Sequence, residues 1–539
     1  MQNACNTKGA RMVELRAYEG LIHNHEELAE ELGVSIDGLS RREREERLVV
    51  AAWDEWGTSL GNHLNGQFAI VLYNPETYET FCTRDPLGAE LLFYYKTIDG
   101  RLLVATQIKD LFDQPGFRRE LNRELIQFYL GFNYVPGEET LFKGVYKLEP
   151  GGYLTFGSGG LVLGRYWELS FEPDESKTLE EWADELDAAF DASIDTIIDE
   201  GEEVDSFLSG GVDSSYILAK SGAKKAYCVS YDDPSASEEE DARKTAEALG
   251  REFEGVKVTP EEFFAAIDDF LFAYEQPSAD VAGLALFCAC KKIAQESKLC
   301  LSGEGADEFF GGYSIYRNAK RYNKNSSVYF GATYIMADFE QKRFLKKWYA
   351  NRKAGDFMRE RGAGGRKYDT VAWMLYTDLR SYFEASILFN STKIVRGTGL
   401  DIRMPYCDLR IFDIARRMPS KFKVGENGGN KLALRAAASR VLPHEVAYRK
   451  KLGFPVPARK WLADPKVAAE IRRAFESDVA REFFNVDEIG ALLDAFLGEK
   501  PRVSHPIWFG RRKTRIWRHV WVIYLFIRWY ELFFGNSEQ

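Results

Sequence analysis

The sequence has little cysteine and no long apolar run. Its seven cysteines among 539 residues are thinly spread and lack the Cys-x-x-Cys spacing of metal and redox motifs. We therefore expect reduced thiols in a cytoplasmic protein. The N-terminus shows no secretion signal, and charged residues bracket the apolar segment Val520 to Ile527 too closely for a bilayer, which needs about 20 apolar residues. We expect no membrane association and predict a buried, aromatic-rich helix for this segment.

An excess of positive charge is also absent. Aspartate and glutamate (83) outnumber lysine and arginine (71), and the formal net charge is −12. The one dense basic run, Arg511 to Lys513 with Arg515, is interpreted as a solvated helix surface rather than a phosphate track. We therefore predict no nucleic-acid partner.

The length favours two domains, each large enough for its own core. Strand-like runs separated by turn signals dominate residues 1–170. From Leu179 long amphipathic helices alternate with short apolar strands, which is typical of a parallel sheet with crossover helices, and residues after about 315 are predicted to be mainly helical. The linker is placed at Phe171 to Lys177, so the predicted domains are 1–170 and 179–539. The predicted elements are strands at Gln67 to Leu72, Glu79 to Cys82, Leu92 to Lys96, Leu102 to Ala105, Gly152 to Phe156, Val204 to Leu208, Ala226 to Ser230 and Leu299 to Leu301, and helices at Leu179 to Asp199, Glu239 to Leu249 and Pro260 to Ala273.

The most informative segment runs from Ser209 to Ser215, with the sequence Ser-Gly-Gly-Val-Asp-Ser-Ser. It follows an apolar strand and enters a helix, so two glycines allow a tight turn and the amide groups of the new helix face an anion. No Gly-Lys-Ser/Thr string occurs in the chain, which favours binding of the pyrophosphate of an ATP that is split to AMP. Asp213 is positioned to ligate Mg²⁺ that bridges phosphates. An ordinary glycine turn is the alternative for Ser-Gly-Gly alone.

A second segment, Leu301 to Glu308, also follows a short apolar strand. In an open parallel sheet ligands collect at the carboxyl ends of the strands, so this loop and the Ser209 loop are expected to lie together. A helix N-terminus explains Asp307 and Glu308 but not Glu304, which stands between two glycines. A third segment, Arg449 to Pro455, offers cations, including Lys451, that could meet the charge of a transition state.

With these strings the chain resembles the glutamine-dependent asparagine synthetases over nearly its whole length. The matching strings are Ser209 to Ser215, Ser302 to Glu308, Phe310 to Tyr313, Arg403 to Tyr406 with Asp408, Lys431 with Leu434 and Arg435, Arg449 with Lys451 and Phe454, and, in the front half, Ile22 to Leu28, Gly66 to Ala69 and Arg84 to Gly88.

The resemblance implies an α/β protein: an N-terminal Ntn-hydrolase-like α+β sandwich, here incomplete, followed by an ATP-pyrophosphatase domain with a parallel sheet and a helical C-terminal part. It implies that ATP and Mg²⁺ are used to adenylate a carboxylate and that ammonia displaces AMP. Glu304 would act as the base on ammonia, and Lys451 would stabilise the adenylation transition state. The residues assigned by the resemblance to ATP and pyrophosphate are Ser209, Gly210, Gly211, Val212, Asp213, Ser214, Ser215, Ser230 and Gly303; those assigned to the substrate are Asp307 and Arg403; and those assigned to Mg²⁺ are Asp213 and Asp307.

The front half departs from the family pattern where glutamine would be hydrolysed. Gln2 follows Met1 in place of the family's nucleophilic cysteine, and Cys5 could serve only after removal of four residues. Glu19-Gly20-Leu21 stands where the family has Asn-Gly-Glu, and Glu45 replaces the usual aspartate. The chain is expected to begin about fifty residues late. We therefore predict a degenerate glutaminase domain that is kept as a structural cover, with ammonia coming from solution or from a partner.

The acceptor side departs as well, because Thr392 to Arg396 replaces the family's Asp-Arg-x-Ser-Met string. Aspartate is the expected substrate, and another carboxylate or a non-catalytic nucleotide-binding scaffold are the alternatives. The intact Glu304 favours an amide formed from ammonia over ring closure. Expected partners are thus small molecules, namely aspartate or another carboxylate and ammonia or glutamine. A homodimer and a separate ammonia source are both compatible with the sequence.

Overall fold

The computed structural model describes residues 13–331, 333–425, 427–450, 453–499 and 515–535. Within these ranges the chain forms three β-sheets and a large set of helices. The front part contains two antiparallel sheets, and the back part contains one parallel sheet. The fold is α/β, as predicted.

The first sheet has five antiparallel strands in the order β1-β2-β3-β7-β8, and the second has three in the order β5-β4-β6. Side chains on β2 point alternately to the two faces of the sheet, as a strand's period of two requires. Ala69 and Val71 pack between the two sheets, while Phe68 and Ile70 pack against two helices on the other face. The strands are β1 (Glu14–Ile22), β2 (Gly66–Asn74), β3 (Glu79–Arg84), β4 (Phe93–Lys96), β5 (Leu102–Ala105), β6 (Val145–Lys147), β7 (Gly152–Gly157) and β8 (Gly160–Arg165), and the helices of this part are α1 (His25–Leu32), α2 (Arg41–Trp56) and α3 (Ile126–Phe132).

The back part is built on a five-stranded parallel sheet. Its strands are β9 (Asp205–Phe207), β10 (Lys225–Ser230), β11 (Glu252–Lys257), β12 (Leu299–Leu301) and β13 (Asp401–Arg403). The strand order is β11-β10-β9-β12-β13. The chain therefore adds β10 and β11 on one side of β9, and then adds β12 and β13 on the other side of β9. The order therefore reverses between β9 and β12, and in sheets of this kind the ligand crevice opens at that point.

Helices cover this sheet and make up most of the remaining chain. The helix α4 starts with a capping box in which Thr178 and Glu181 bond each other's backbone amide. The helices are α4 (Leu179–Ile197), α5 (Val212–Lys220), α6 (Glu239–Ala248), α7 (Pro260–Ala265), α8 (Ile267–Tyr274), α9 (Val281–Ile293), α10 (Ala306–Phe310), α11 (Asp338–Phe344), α12 (Ala354–Arg361), α13 (Thr370–Asp378), α14 (Leu409–Arg417), α15 (Leu432–Ala438), α16 (His444–Ala447), α17 (Ala458–Leu462), α18 (Pro465–Phe475), α19 (Asp478–Phe483), α20 (Val486–Leu497) and α21 (Ile516–Phe534). Wider helical turns continue α13 through Leu379–Leu388 and Ser391–Val395.

The predicted strands are all present, with shifts of a few residues at their ends. The single helix predicted at Pro260 to Ala273 is wrong, because the chain forms α7 and α8 with a break at Ala266. The strands β1, β6, β8, β11 and β13 were not predicted, and β13 interrupts the mainly helical region after residue 315.

The apolar segment near the C-terminus lies within α21, and its side chains are buried. Trp521 and Trp529 donate their indole N–H groups to the backbone oxygens of Ala279 and Glu275, at 3.1 and 3.0 Å. The prediction of a buried aromatic helix is therefore confirmed. Among the helices of the described ranges, none combines the length and apolar character that crossing a membrane requires. The six cysteines in the described part of the chain are free thiols, and Cys5 lies outside it.

Buried ion pairs join the front part to the back part. Glu384, in the extension of α13, accepts Arg84 Nη1 at 2.9 Å and Lys147 Nζ at 2.7 Å. Burial lowers the pKa of Lys147 to about 8, while Glu384 acts against that shift. Because removing one partner of such a pair is costly, these contacts hold the two parts in one arrangement.

Candidate active site

The loop from Ser209 to Gly211 connects β9 to α5. The backbone N–H of Gly211 donates to Ser209 Oγ at 3.1 Å, and the backbone N–H of Ser209 donates to Ser214 Oγ at 2.9 Å. Serine hydroxyls of this segment therefore fix the shape of the loop. Gly211 is the residue before α5, and as a glycine it has no side chain to cap that helix. A helix N-terminus that follows a glycine turn is a favourable place for an anion such as pyrophosphate.

The loop after β12 packs directly on this first loop. A side chain added at Gly303 would touch Asp213 Cβ at 3.4 Å and the Ser214 amide nitrogen at 3.6 Å. Gly305 has φ = +96°, a conformation that favours glycine and that turns the chain into α10. The structure therefore brings together the Ser209 loop and the Glu304 loop at the crevice between β9 and β12, as the parallel-sheet rule predicts.

Asp213 and Asp307 converge on one cation. Lys431 Nζ lies 2.6 Å from Asp213 Oδ2 and 2.6 Å from Asp307 Oδ1, and the lysine is buried. Lys431 has φ = +56°, a conformation that a lysine rarely adopts and that its surroundings must hold in place. Gly312 makes room for the pair, since a Cβ at Gly312 would lie 1.7 Å from Asp307 Oδ1.

These two carboxylates fit a magnesium site. Mg²⁺ is commonly held by one or two carboxylates together with substrate phosphates, and both aspartates already reach a common cationic group. Among the described residues there is no group of three or more His, Cys, Asp or Glu side chains that could hold a metal alone. The donor set thus suits an ion that arrives with nucleotide.

Arg435 and Arg449 bond the backbone at and near the Ser209 loop. Arg449 Nη1 donates to the backbone oxygens of Gly210 and Asp241, at 3.3 and 3.2 Å. Arg435 donates to the backbone oxygens of Ala447, at 2.6 Å, and of Arg449, at 3.1 Å, and so fixes the segment that carries Arg449. The cationic segment predicted near the acidic loops does therefore begin beside the Ser209 loop. Lys451 lies outside the described residues.

The acid Glu308 lies in α10, next to Asp307. Its side chain is buried, Tyr313 donates to it at 2.5 Å, and burial together with the neighbouring Asp307 raises the pKa of Glu308 to about 8. Glu304, in contrast, is half-buried. Glu304 in the loop and Glu308 in α10 therefore have different surroundings, and the more accessible Glu304 is the better placed to meet a substrate.

Two other predicted residues have simpler positions. Ser230 is the last residue of β10, the strand that pairs with β9, and it is buried. Arg403 donates to both carboxylate oxygens of Glu202, at 2.5 and 2.6 Å, and to the backbone oxygen of Ile197. Its guanidinium is thus engaged at the end of α4, so the geometry gives no support to the predicted role of Arg403 in substrate binding. The backbone oxygen of Arg403 instead accepts the Ser302 amide at 2.9 Å.

The front part shows how the departures from the expected glutamine pocket are accommodated. Leu21 is buried in the main core. Glu45 accepts the Tyr18 hydroxyl at 2.8 Å and the Ile22 amide at 3.0 Å, and burial raises the pKa of Glu45. Glu19 lines a cavity of about 630 Å³ between the two parts of the chain. Leu21 and Glu45 therefore serve packing and backbone bonding.

Comparison with known proteins agrees with this arrangement. The family model described as asparagine synthase matches residues 185–530. The chain belongs to the asparagine synthase family. A second family model, the glutamine amidotransferase domain, matches residues 6–167. Membership in this family places the chain among the ligases and amidotransferases.

Individual relatives cover most of the chain. Asparagine synthetase [glutamine-hydrolyzing] 1 of Bacillus subtilis is 29% identical over 91% of this chain and 83% of its own length. Asparagine synthetase [glutamine-hydrolyzing] 3 of the same organism is 26% identical over 84% and 76%. The amidase chry2 of Gibberella zeae is 25% identical over 78% and 73%. Among solved structures, glutamine phosphoribosylpyrophosphate amidotransferase of B. subtilis aligns over 46% of this chain and 47% of its own, with 14% identity and a TM-score of 0.22, a likeness too weak to add to the fold.

The sequence did not reveal the role of Lys431, although the residue belongs to one of the matching strings. It lies 218 residues from Asp213 along the chain, and a lysine beside glycines carries no chemical signal of its own. Its unusual backbone conformation and its position between two aspartates become visible only in three dimensions.

Proposed function

We propose that this chain forms an amide by ATP-dependent adenylation of a carboxylate followed by attack of ammonia. Membership in the asparagine synthase family supports ATP-dependent amidation. The observation that carries the proposal is the meeting of Asp213 and Asp307 at one cation in the crevice between β9 and β12. Aspartate is the proposed acceptor and asparagine the proposed product.

In the first step the amide groups of the first turn of α5 and the Ser209 loop hold the pyrophosphate of ATP. Asp213 and Asp307 would hold Mg²⁺, which offsets the charge of the phosphates when it is bound. An oxygen of the acceptor carboxylate attacks the α-phosphorus, the bond to the β-phosphate oxygen breaks, and pyrophosphate leaves. Lys451 is proposed to stabilise the charge of this transition state.

In the second step ammonia attacks the acyl carbon of the adenylate, and AMP leaves. Glu304 is proposed as the base that takes a proton from the attacking nitrogen, and its half-buried position in the loop after β12 supports that role. Because Leu21 is packed in the core and Glu45 is bonded to the Tyr18 hydroxyl and the Ile22 amide, we propose that glutamine is not the nitrogen donor and that ammonia comes from solution or from another protein.

A different carboxylate is the second candidate for the acceptor. Thr392 bonds the backbone oxygen of Ala89 at 2.6 Å, and Arg396 bonds Glu90 at 2.6 Å, so this segment faces the front part. Amidases are also among the relatives. These observations are the reason to test carboxylic acids other than aspartate as acceptors.

The test is AMP formation by the full chain with Mg²⁺, ATP and ammonium against a panel of carboxylic acids. We expect activity with aspartate and a loss on the order of a hundredfold in Asp213→Asn. Asp205→Asn is the matched control, since Asp205 lies at the opposite end of β9. Activity with another acid but not with aspartate would show that the other acid is the acceptor. No AMP with any acid, or an active Asp213→Asn variant, would overturn the proposal.

A further inference from the structure

His23 and Asp408 meet in the buried seam between the front and back parts. His23 follows β1, Asp408 caps α14, and His23 Nδ1 lies 3.2 Å from Asp408 Oδ2 with both side chains fully buried. Asn65, also from the front part, donates to Asp408 Oδ1 at 3.0 Å, and Arg410 donates to Asp408 Oδ2 at 2.6 Å. Burial alone would raise the pKa of Asp408, but His23 and Arg410 lower it overall. The front part thus supplies two of the polar groups that lie against this carboxylate.

The backbone that leads into Asp408 touches both loops of the active site. Tyr406 is buried, and its hydroxyl donates to the backbone oxygen of Asp213 at 3.3 Å. Cys407 Sγ donates to the backbone oxygen of Glu304 at 3.8 Å. Asp408 directly follows these two residues, so its position fixes where they can reach.

We infer that His23 is a positioning residue of the active site, holding Asp408 so that Tyr406 and Cys407 keep the Asp213 and Glu304 loops in place. The inference rests on the proposed function and deepens it. It gives the front domain a role that needs no glutamine hydrolysis: it supplies part of the wall that positions the adenylation loops.

The contacts also indicate which variants distinguish a positioning role of His23 from a role in folding. His23→Phe keeps an aromatic ring of similar size but removes the nitrogen that faces Asp408. His23→Gln keeps a group that can donate to the carboxylate. His25→Gln is the control, because His25 is also buried and its Nδ1 contacts the Ile22 backbone oxygen at 3.1 Å, within the front part.

The experiment measures kcat and KM for ATP in AMP formation with ammonium, at a temperature at which circular dichroism and thermal melting show each variant to be folded. We expect kcat of His23→Phe to fall tenfold to a hundredfold, on the order of what displacing catalytic groups by about 1 Å costs. The KM for ATP is expected to change much less, and His23→Gln is expected to recover most of the loss. The control His25→Gln should match the wild type.

Each outcome decides the matter. If the wild type makes no AMP, the proposed function fails. If the wild type is active and folded His23→Phe has the same kcat, the inference is overturned, as it is if His25→Gln loses as much as His23→Phe. Should His23→Phe not fold, His23→Leu carries the same test, because leucine also lacks a polar group that faces Asp408, and a wild-type kcat in that folded variant overturns the inference.

Discussion

Gly312 offers a steric test of the pair of carboxylates in the crevice. Its backbone is in a conformation that alanine can adopt, so Gly312→Ala adds only a methyl group. That methyl carbon would lie 1.7 Å from Asp307 Oδ1 and 2.2 Å from Lys431 Cε, whereas real Cβ atoms essentially never come within 3.0 Å of other heavy atoms. The carboxylate or the lysine must therefore move, by more than about 1 Å, which is enough to cost on the order of a hundredfold in rate.

The assay is AMP formation at saturating ATP, combined with thermal melting of each variant. We expect the rate of Gly312→Ala to fall by that factor, with a loss of stability of about 1–3 kcal/mol from overpacking. Gly490→Ala is the control, because nothing lies within 4 Å of the added carbon and the residue is in the helix α20. A wild-type rate in Gly312→Ala would refute the claim that Asp307 must stay beside Lys431.

Three further predictions concern charge, pH and the nitrogen donor. Lys431→Met removes the ammonium shared by Asp213 and Asp307. Unfolding in urea should therefore show a free energy of unfolding lower by about 3–5 kcal/mol, which Mg²⁺ partly restores. An equal effect of Mg²⁺ on the variant and the wild type would contradict this. Burial raises the pKa of Asp378 to about 7. The folded chain therefore binds a proton that the unfolded chain releases near pH 4, and stability falls by up to about 4 kcal/mol as the pH rises from 4 to 7. Glu308, whose pKa is also raised by burial, adds a slope of the same sign. Asp378→Asn should therefore remove only the part of the slope that Asp378 contributes, and an unchanged slope would show that Asp378 contributes none. Finally, ammonium should support amide formation and glutamine should not, and equal rates with both donors would show that the glutamine pocket works.

Much of the crevice could be predicted because its signals are local. The Ser209 loop and the Glu304 loop each follow a short apolar strand, and the rule for parallel sheets places both at the same edge. Each loop combines glycines with an acid at the end of a strand, and an ordinary turn does not require that combination. The residue types and their spacing were therefore sufficient to indicate which two loops meet in the crevice before any contact was known.

The remainder depended on tertiary contacts. Arg403 stands in a string that resembles a binding motif, yet its guanidinium bonds Glu202, 201 residues away along the chain, and no local signal indicates that contact. The break between α7 and α8 falls at Ala266, and alanine is so good a helix former that no local signal marks it. The meeting of His23 with Asp408 joins residues 385 positions apart, which periodicity cannot detect.

The measurement that tests the central claim most directly is the exchange of labelled pyrophosphate into ATP by the full chain, in the wild type and in Glu304→Gln. Adenylation precedes the step assigned to Glu304, so we predict exchange that depends on a carboxylate in both proteins and amide formation in the wild type alone. Exchange with no carboxylic acid, or undiminished amide formation by Glu304→Gln, would contradict the account.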